Sequence, residues 1–212
     1  MAKQQLEPPS IASLGYPPEG YERRHFNENY GSLNNFFKKI TSVLGSLFGR
    51  RGGQFLNNPY GAFQSTVDQT AAVINTAYAI TLNTTDYSNG VTVASNSRIT
   101  VAVTGIWNLQ WSGQFDNSDS QDHDARVWLK INGTVLTGST GFIAIPSKHG
   151  STNGHTIIGW NYFVQLNAND YIELWWETDS TNVSIQAYAA AGNYPSTASV
   201  IATMSFVSNI SA

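Results

Sequence analysis

Along Gly105 to Phe115, GIWNLQWSGQF, apolar and polar residues alternate without a break: Trp107, Leu109, Trp111 and Phe115 fall on one side, Asn108, Gln110, Ser112 and Gln114 on the other. A period of two sustained for this long predicts a strand with one face buried, not a helix. The same pattern recurs through the C-terminal two thirds of the chain. It predicts strands near 63–68, 76–82, 90–94, 97–104, 105–116, 124–132, 135–145, 155–166, 170–178, 182–190 and 198–207. Between them lie turn signals such as Ser88–Asn89–Gly90, Asn132–Gly133, Ser151 to Gly154 and Asp179–Ser180. About ten short strands with no helical period between them predict an all-β sandwich or barrel.

Residues 25–49 follow a different rhythm. Phe26, Leu33, Ile40 and Leu47 are spaced by sevens, with Tyr30, Phe37 and Leu44 four places after the first three, and Phe36 and Val43 widen the stripe. This predicts an amphipathic helix of roughly 17 residues with Ser32 as its N-cap and Gly49 at its end. Three partners suit such a stripe: copies of itself, a groove in a larger assembly, or a membrane surface. Ahead of it, residues 1–24 contain two Pro-Pro pairs, which disfavour a helix and predict an extended strap, with Tyr16 and Tyr21 as anchors, or a disordered terminus. After it, Gly52–Gly53, Asn57–Asn58–Pro59 and Gly61 make 50–62 a hinge, placing the head at 63–207 and a short tail at 208–212.

Charge sharpens this division. Only 12% of the 212 residues are charged, and the net charge of −3 conceals a basic front and an acidic head. Residues 1–62 carry seven Lys or Arg against four Glu, and the remainder carries four against ten Asp and Glu. An acidic head disfavours nucleic acid as its partner. There is no cysteine, which excludes disulfides and thiolate metal sites. The first twenty residues lack the layout of a secretion signal, and no apolar run approaches a membrane span.

Candidate chemistry is sparse. Asp119, Asp122 and Asp124, in DNSDSQDHD, offer the oxygens a Ca²⁺ ion needs but lack the Gly and closing Glu of a helix-loop-helix calcium loop, so a solvated loop is the competing reading. His149 and His155 bracket one Gly-rich loop without a third ligand for zinc. Asp170, Glu173 and Glu177 suggest paired carboxylates, yet the last two alternate along one strand face. No nucleophile elbow, phosphate loop or zinc-protease motif occurs, and no cofactor is implied.

Four aromatics fall on the outward register of their strands. Tyr171 and Trp175 oppose Ile172, Leu174 and Trp176; Trp128 stands between Arg126 and Lys130; Phe163 opposes Tyr162 and Val164. Exposed aromatics clustered on a sheet mark an interface, so Trp128, Phe163, Tyr171 and Trp175 are candidates for a subunit contact. The alternative is that one subunit covers them itself.

Three segments of the head resemble the tumour-necrosis-factor-like jelly roll, the superfamily that includes the globular heads of complement-type proteins. They are the strand with Gly105, Trp107 and Leu109, the strand VWLKINGT ending in Asn132–Gly133, and LNANDYIELWW, with Asn169 where the family carries Gly. The likeness covers about 63–207 and implies a homotrimer that packs aromatic faces about a three-fold axis and displays loops to a ligand. The front of the chain resembles the attachment region of small structural proteins of tailed bacteriophages. Together these imply a non-enzymatic virion protein assembled in the host cytoplasm, its residues 1–58 holding the head to capsid, tail or fibre. The other expectation is an adhesin that binds a host receptor or glycan through loops 117–123 and 147–154.

Overall fold

A computed structural model describes residues 19–20, 22–48 and 58–210. The chain divides into two units, Met1–Asn58 and Pro59–Ala212. In the first, helix α1 (Arg23–Phe48) runs for 26 residues, about 39 Å at 1.5 Å per residue. It begins nine residues before Ser32, which lies inside the helix. The first turn closes where the Phe26 N–H donates to the Glu22 carbonyl at 3.1 Å. Asn27, Asn29 and Gly31 are weak helix formers, yet they lie along a stripe already running at Phe26 and Tyr30, and the longer pattern prevails over local propensity. Tyr16, Tyr21 and Gly49 lie outside the described residues.

The second unit holds fourteen strands: β1 (Tyr60–Ser65), β2 (Gln69–Thr70), β3 (Tyr78–Ala79), β4 (Thr84–Asn89), β5 (Val91–Ala94), β6 (Arg98–Val101) and β7 (Gly105–Asn117). They continue with β8 (His123–Ile131), β9 (Thr134–Val135), β10 (Gly141–Ile145), β11 (Gly154–Leu166), β12 (Tyr171–Thr178), β13 (Val183–Ile185) and β14 (Val200–Ser208). They form two antiparallel seven-stranded sheets. The first has the order β11-β7-β14-β1-β4, with β13 and β2 continuing beside the end of β7. The second has the order β10-β8-β12-β6-β5, with β9 and β3 as short additions. Sequence-distant strands lie side by side in both sheets, β1 with β14 and β6 with β12, which makes a jelly-roll-like sandwich.

The core lies between the sheets. Trp107, Leu109, Trp111 and Phe115 are all buried and meet Leu129, Leu174 and Trp176 from the other sheet within one apolar cluster. Phe115 and Trp176 contact edge to face at 6.1 Å between ring centroids. Gly141 is required by close approach: a Cβ there would sit 1.8 Å from the Trp160 ring. The β8–β9 hairpin turns on Asn132 and Gly133, with φ of 50° and 81°, and Asn169 takes the left-handed turn before β12 at φ 72°.

Several boundaries differ from the sequence pattern. β1 begins at Tyr60, so three residues read as hinge belong to the sheet. The run 135–145 splits at Gly138, and only Val183–Ile185 of 182–190 is strand. β4, TTDYSN, has no apolar alternation and pairs only with β1, so it is an edge strand.

Candidate self-association interface

The two sheets present very different outer faces. On the first, β11 runs alongside β7 over thirteen residue pairs, and β14 flanks the other side of β7. Period-two alternation turns Ile157, Gly159, Asn161, Phe163 and Gln165 of β11 outward, beside Gln114, Ser112, Gln110, Asn108 and Ile106 of β7. Ile201, Thr203 and Ser205 of β14 complete the rows. Asp116 is the sole charged residue in β1, β7, β11 and β14. Against this uncharged background Ile157 is 72% exposed, Phe163 64% and Ile201 48%. Asn108 and Asn161 hydrogen-bond to each other across the strands, which satisfies amide groups that a covered face would otherwise leave unpaired.

The outer face of the second sheet carries aromatics too, and three of them, Trp175, Tyr171 and Phe142, have a cation against the ring. Trp128 and Trp175 are cross-strand partners, with the Lys130 Nζ 3.4 Å from the Trp175 ring centroid. Arg98 covers Tyr171 at 4.6 Å, and Arg126 lies 5.2 Å from the centre of Phe142. The same arginines pair with carboxylates: Arg126 with Glu177 at 3.0 Å and Arg98 with Glu173 at 3.5 Å. Glu173 is buried and also accepts from Ser97 Oγ at 2.7 Å. Cation–π contacts of this kind contribute about 0.5–1 kcal/mol at exposed sites.

The four candidate contact aromatics therefore do not share a face. Trp128, Tyr171 and Trp175 lie on the cation-covered sheet and are half-buried within the subunit; Phe163 alone is on the uncharged one. Ile157 and Ile201, which the aromatic criterion passed over, are Phe163's companions. The alternation placed both facing outward, and the absence of Asp, Glu, Lys and Arg from β11 and β14 was the signal that could have found them.

At one end of the uncharged face lies a cleft of about 280 Å³, lined by Gln114, His155, Ile157, Tyr188, Tyr194 and Thr197. Buried Asp116 braces its wall: Tyr188 Oη and Asn153 Nδ2 each donate to its carboxylate at 2.8 Å, and His155 Nδ1 lies 3.2 Å away. Burial, and then the Asp116 carboxylate, push the Tyr188 phenol well above its ordinary range.

The acidic loop does not gather its carboxylates. Asp119 faces His123 at 3.1 Å and accepts from Asn182 Nδ2 and the Ser120 N–H. These hydrogen bonds, His123's first, hold it at about 2, below its ordinary 3.8. Asp122 instead accepts from the Ser147 N–H at 2.7 Å, while Asp124 uses its backbone N–H to reach Asp179. Among the described residues no three His, Cys, Asp or Glu side chains converge as a metal site. Asp170 accepts from Asn132 and the Asn167 N–H within its turn, so it, Glu173 and Glu177 each have separate partners. The loops 118–122 and 146–153 do meet, the Lys148 N–H donating to the Asp119 carbonyl at 2.8 Å.

On helix α1, Phe26, Tyr30, Leu33, Phe37 and Leu44 are exposed and Ile40 is half-buried, so the apolar stripe is open at these positions; the Leu47 side chain lies outside the described residues. No helix among the described residues is long and apolar enough to cross a membrane.

No family model matches the chain, and no curated protein matches it in sequence. The class defined by its own geometry is a jelly-roll-like sandwich with one uncharged, apolar-studded outer face.

Proposed function

We propose that this chain is a non-enzymatic structural protein whose head forms a homotrimer through the outer face of β11, β7 and β14. The observation that carries this reading is that face: Ile157 and Phe163 of β11 and Ile201 of β14 are exposed on either side of β7, and buried Asp116 is the sole charged residue of the three strands. Two strands of thirteen residues and one of nine, about 4.8 Å apart, span roughly 550 Å². That approaches the ~800 Å² per partner of an ordinary stable interface. Burying each of the three side chains contributes on the order of 1.5–3 kcal/mol. The strand orders of the two sheets support the likeness to trimeric tumour-necrosis-factor-type heads.

On this reading residues 1–58 fasten the trimer to a larger assembly. The basic front, the open helix stripe and the likeness to phage attachment regions favour the virion of a tailed bacteriophage, at its capsid, tail or fibre. Native mass spectrometry of residues 59–212 tests the head: a trimer is expected, and a monomer at tens of micromolar refutes it. Particles assembled with the 1–58 deletion test the anchor, and normal incorporation of that deletion would sink it. A second reading, a head that binds a host glycan or receptor, draws on the meeting of loops 118–122 and 146–153 and on the exposed Tyr194 in the cleft. A glycan array probed with the head distinguishes the two.

A further inference from the structure

The helix carries a second and separate association signal. From Phe26 to Leu47 its apolar positions are separated alternately by four and three residues, an average of 3.5. That is the period of a left-handed coiled coil rather than the 3.6 of a helix lying on a globular surface. It persists for three heptads. Tyr30, Phe37 and Leu44 take the first core position of the heptad, and Phe26, Leu33 and Ile40 the second.

The rim of this seam is uncharged. Asn27, Asn29, Asn34 and Thr41 flank it, while Phe36 and Val43 extend it on one side. Beyond Arg23, before the seam begins, the helix's charges are Arg24, Glu28, Lys38 and Lys39, all on the opposite face. Copies laid side by side in parallel thus bring no like charges together. A two-stranded coil favours β-branched residues at the first core position with Leu at the second. Here aromatics and Leu hold the first position, Ile40 shares the second, and the widened seam gives each helix more than one neighbour to cover.

We propose that α1 associates with its own copies as a parallel three-stranded coiled coil. Its stoichiometry rests on the trimeric reading of the head, but its evidence is the helix's own. Ten peptide units join Phe48 to Asn58 and reach at most about 35 Å. Three associated heads therefore hold their helices at an effective concentration of order millimolar, where even weak helix pairing saturates. Contact with other virion components then falls to the back of the coil and to the residues before it.

The chain has no cysteine, so single cysteines report the packing in the full-length protein. Leu33→Cys, in the seam, is expected to form inter-chain disulfides at least tenfold faster than Asn35→Cys on the opposite face. Equal rates, or no crosslink at Leu33→Cys, overturn the proposal. Native mass spectrometry of the full chain carrying Ile157→Glu and Phe163→Glu is expected to show trimers still, held by the helix. Adding Phe37→Glu and Leu44→Glu is expected to give monomers, whereas Phe37→Leu or Lys38→Glu leaves the trimer. A monomer or dimer before the helix is altered refutes a three-stranded coil, as does helicity that arises only with anionic phospholipid vesicles. A monomeric 59–212 fragment would refute the head reading without touching the cysteine result.

Discussion

The two outer faces of the sandwich are built from the same strand alternation and reach opposite ends. On the β10-β8-β12-β6-β5 sheet the outward residues include four large aromatics; Lys130 and Arg98 lie over Trp175 and Tyr171, and Arg126 lies beside Phe142, which stays 70% exposed. On the β11-β7-β14 face the outward residues are mostly Asn, Gln, Ser and Thr, and of the large apolar residues among them Ile157, Phe163 and Ile201 stand exposed. An exposed apolar residue is commonplace by itself. Three on the two strands that flank β7 are a different matter, because the one charge of these strands, Asp116, is already buried and hydrogen-bonded, so little further charge desolvation accompanies the arrival of a second surface. Aromatic content alone thus does not tell which face is open; what lies over the ring does.

The strongest way to break this comparison is to put charge on each face in turn. Phe163→Glu together with Ile157→Glu is expected to weaken head association at least a hundredfold, measured by sedimentation equilibrium on residues 59–212, with the melting temperature of the monomer unchanged. The matched change on the other face, Trp128→Glu, is expected to lower stability by about 1–3 kcal/mol in urea unfolding, since it loses a half-buried ring, and to leave the oligomeric state as it was. If Trp128→Glu dissociates the head and Phe163→Glu does not, the two faces have been assigned the wrong way round.

Uncovering the capped face gives a smaller effect. Lys130→Ala removes the cation from Trp175 and is expected to cost about 0.5–1 kcal/mol and to raise non-specific self-association at high concentration. Smallest is the effect at the loop end. Asp119 has its carboxyl held at about 2 when folded, below its ordinary 3.8, so its contribution to stability is complete above about pH 4 and fades as pH falls towards 2. Asp119→Asn is therefore expected to make acid unfolding shallower between pH 4 and 2 and to leave the curve near neutrality with the same slope.

Much of the fold was legible in the chain. The alternation in β7, β8 and β12 correctly placed Trp107, Leu109, Leu129, Ile172, Leu174 and Trp176 inside. The seven-residue spacing found the helix, although its start came nine residues early because Asn27, Asn29 and Gly31 lowered the local propensity without interrupting the stripe. β4 was not legible: an edge strand with both faces partly wet needs no apolar alternation, and its hydrogen bonds to β1 hold it there. The candidate interface was legible by halves. Phe163 was found as an outward aromatic, while Ile157 and Ile201 lay outside the criterion applied.

A period of two tells which way each side chain points, and composition tells that charge is scarce, so sequence alone fixed an all-β head with a two-sided set of strands and a heptad helix before it. It could not tell which outward residues become neighbours. Lys130 reaches Trp175 and Arg98 reaches Tyr171 only because β8 lies against β12 and β12 against β6, pairings between segments tens of residues apart. Ile201 joins Phe163 on one face because β14 and β11 flank the same strand. Lateral order and register are set by how the whole set of strands closes over one core. The tertiary structure therefore decided which aromatics are covered and which face is left open.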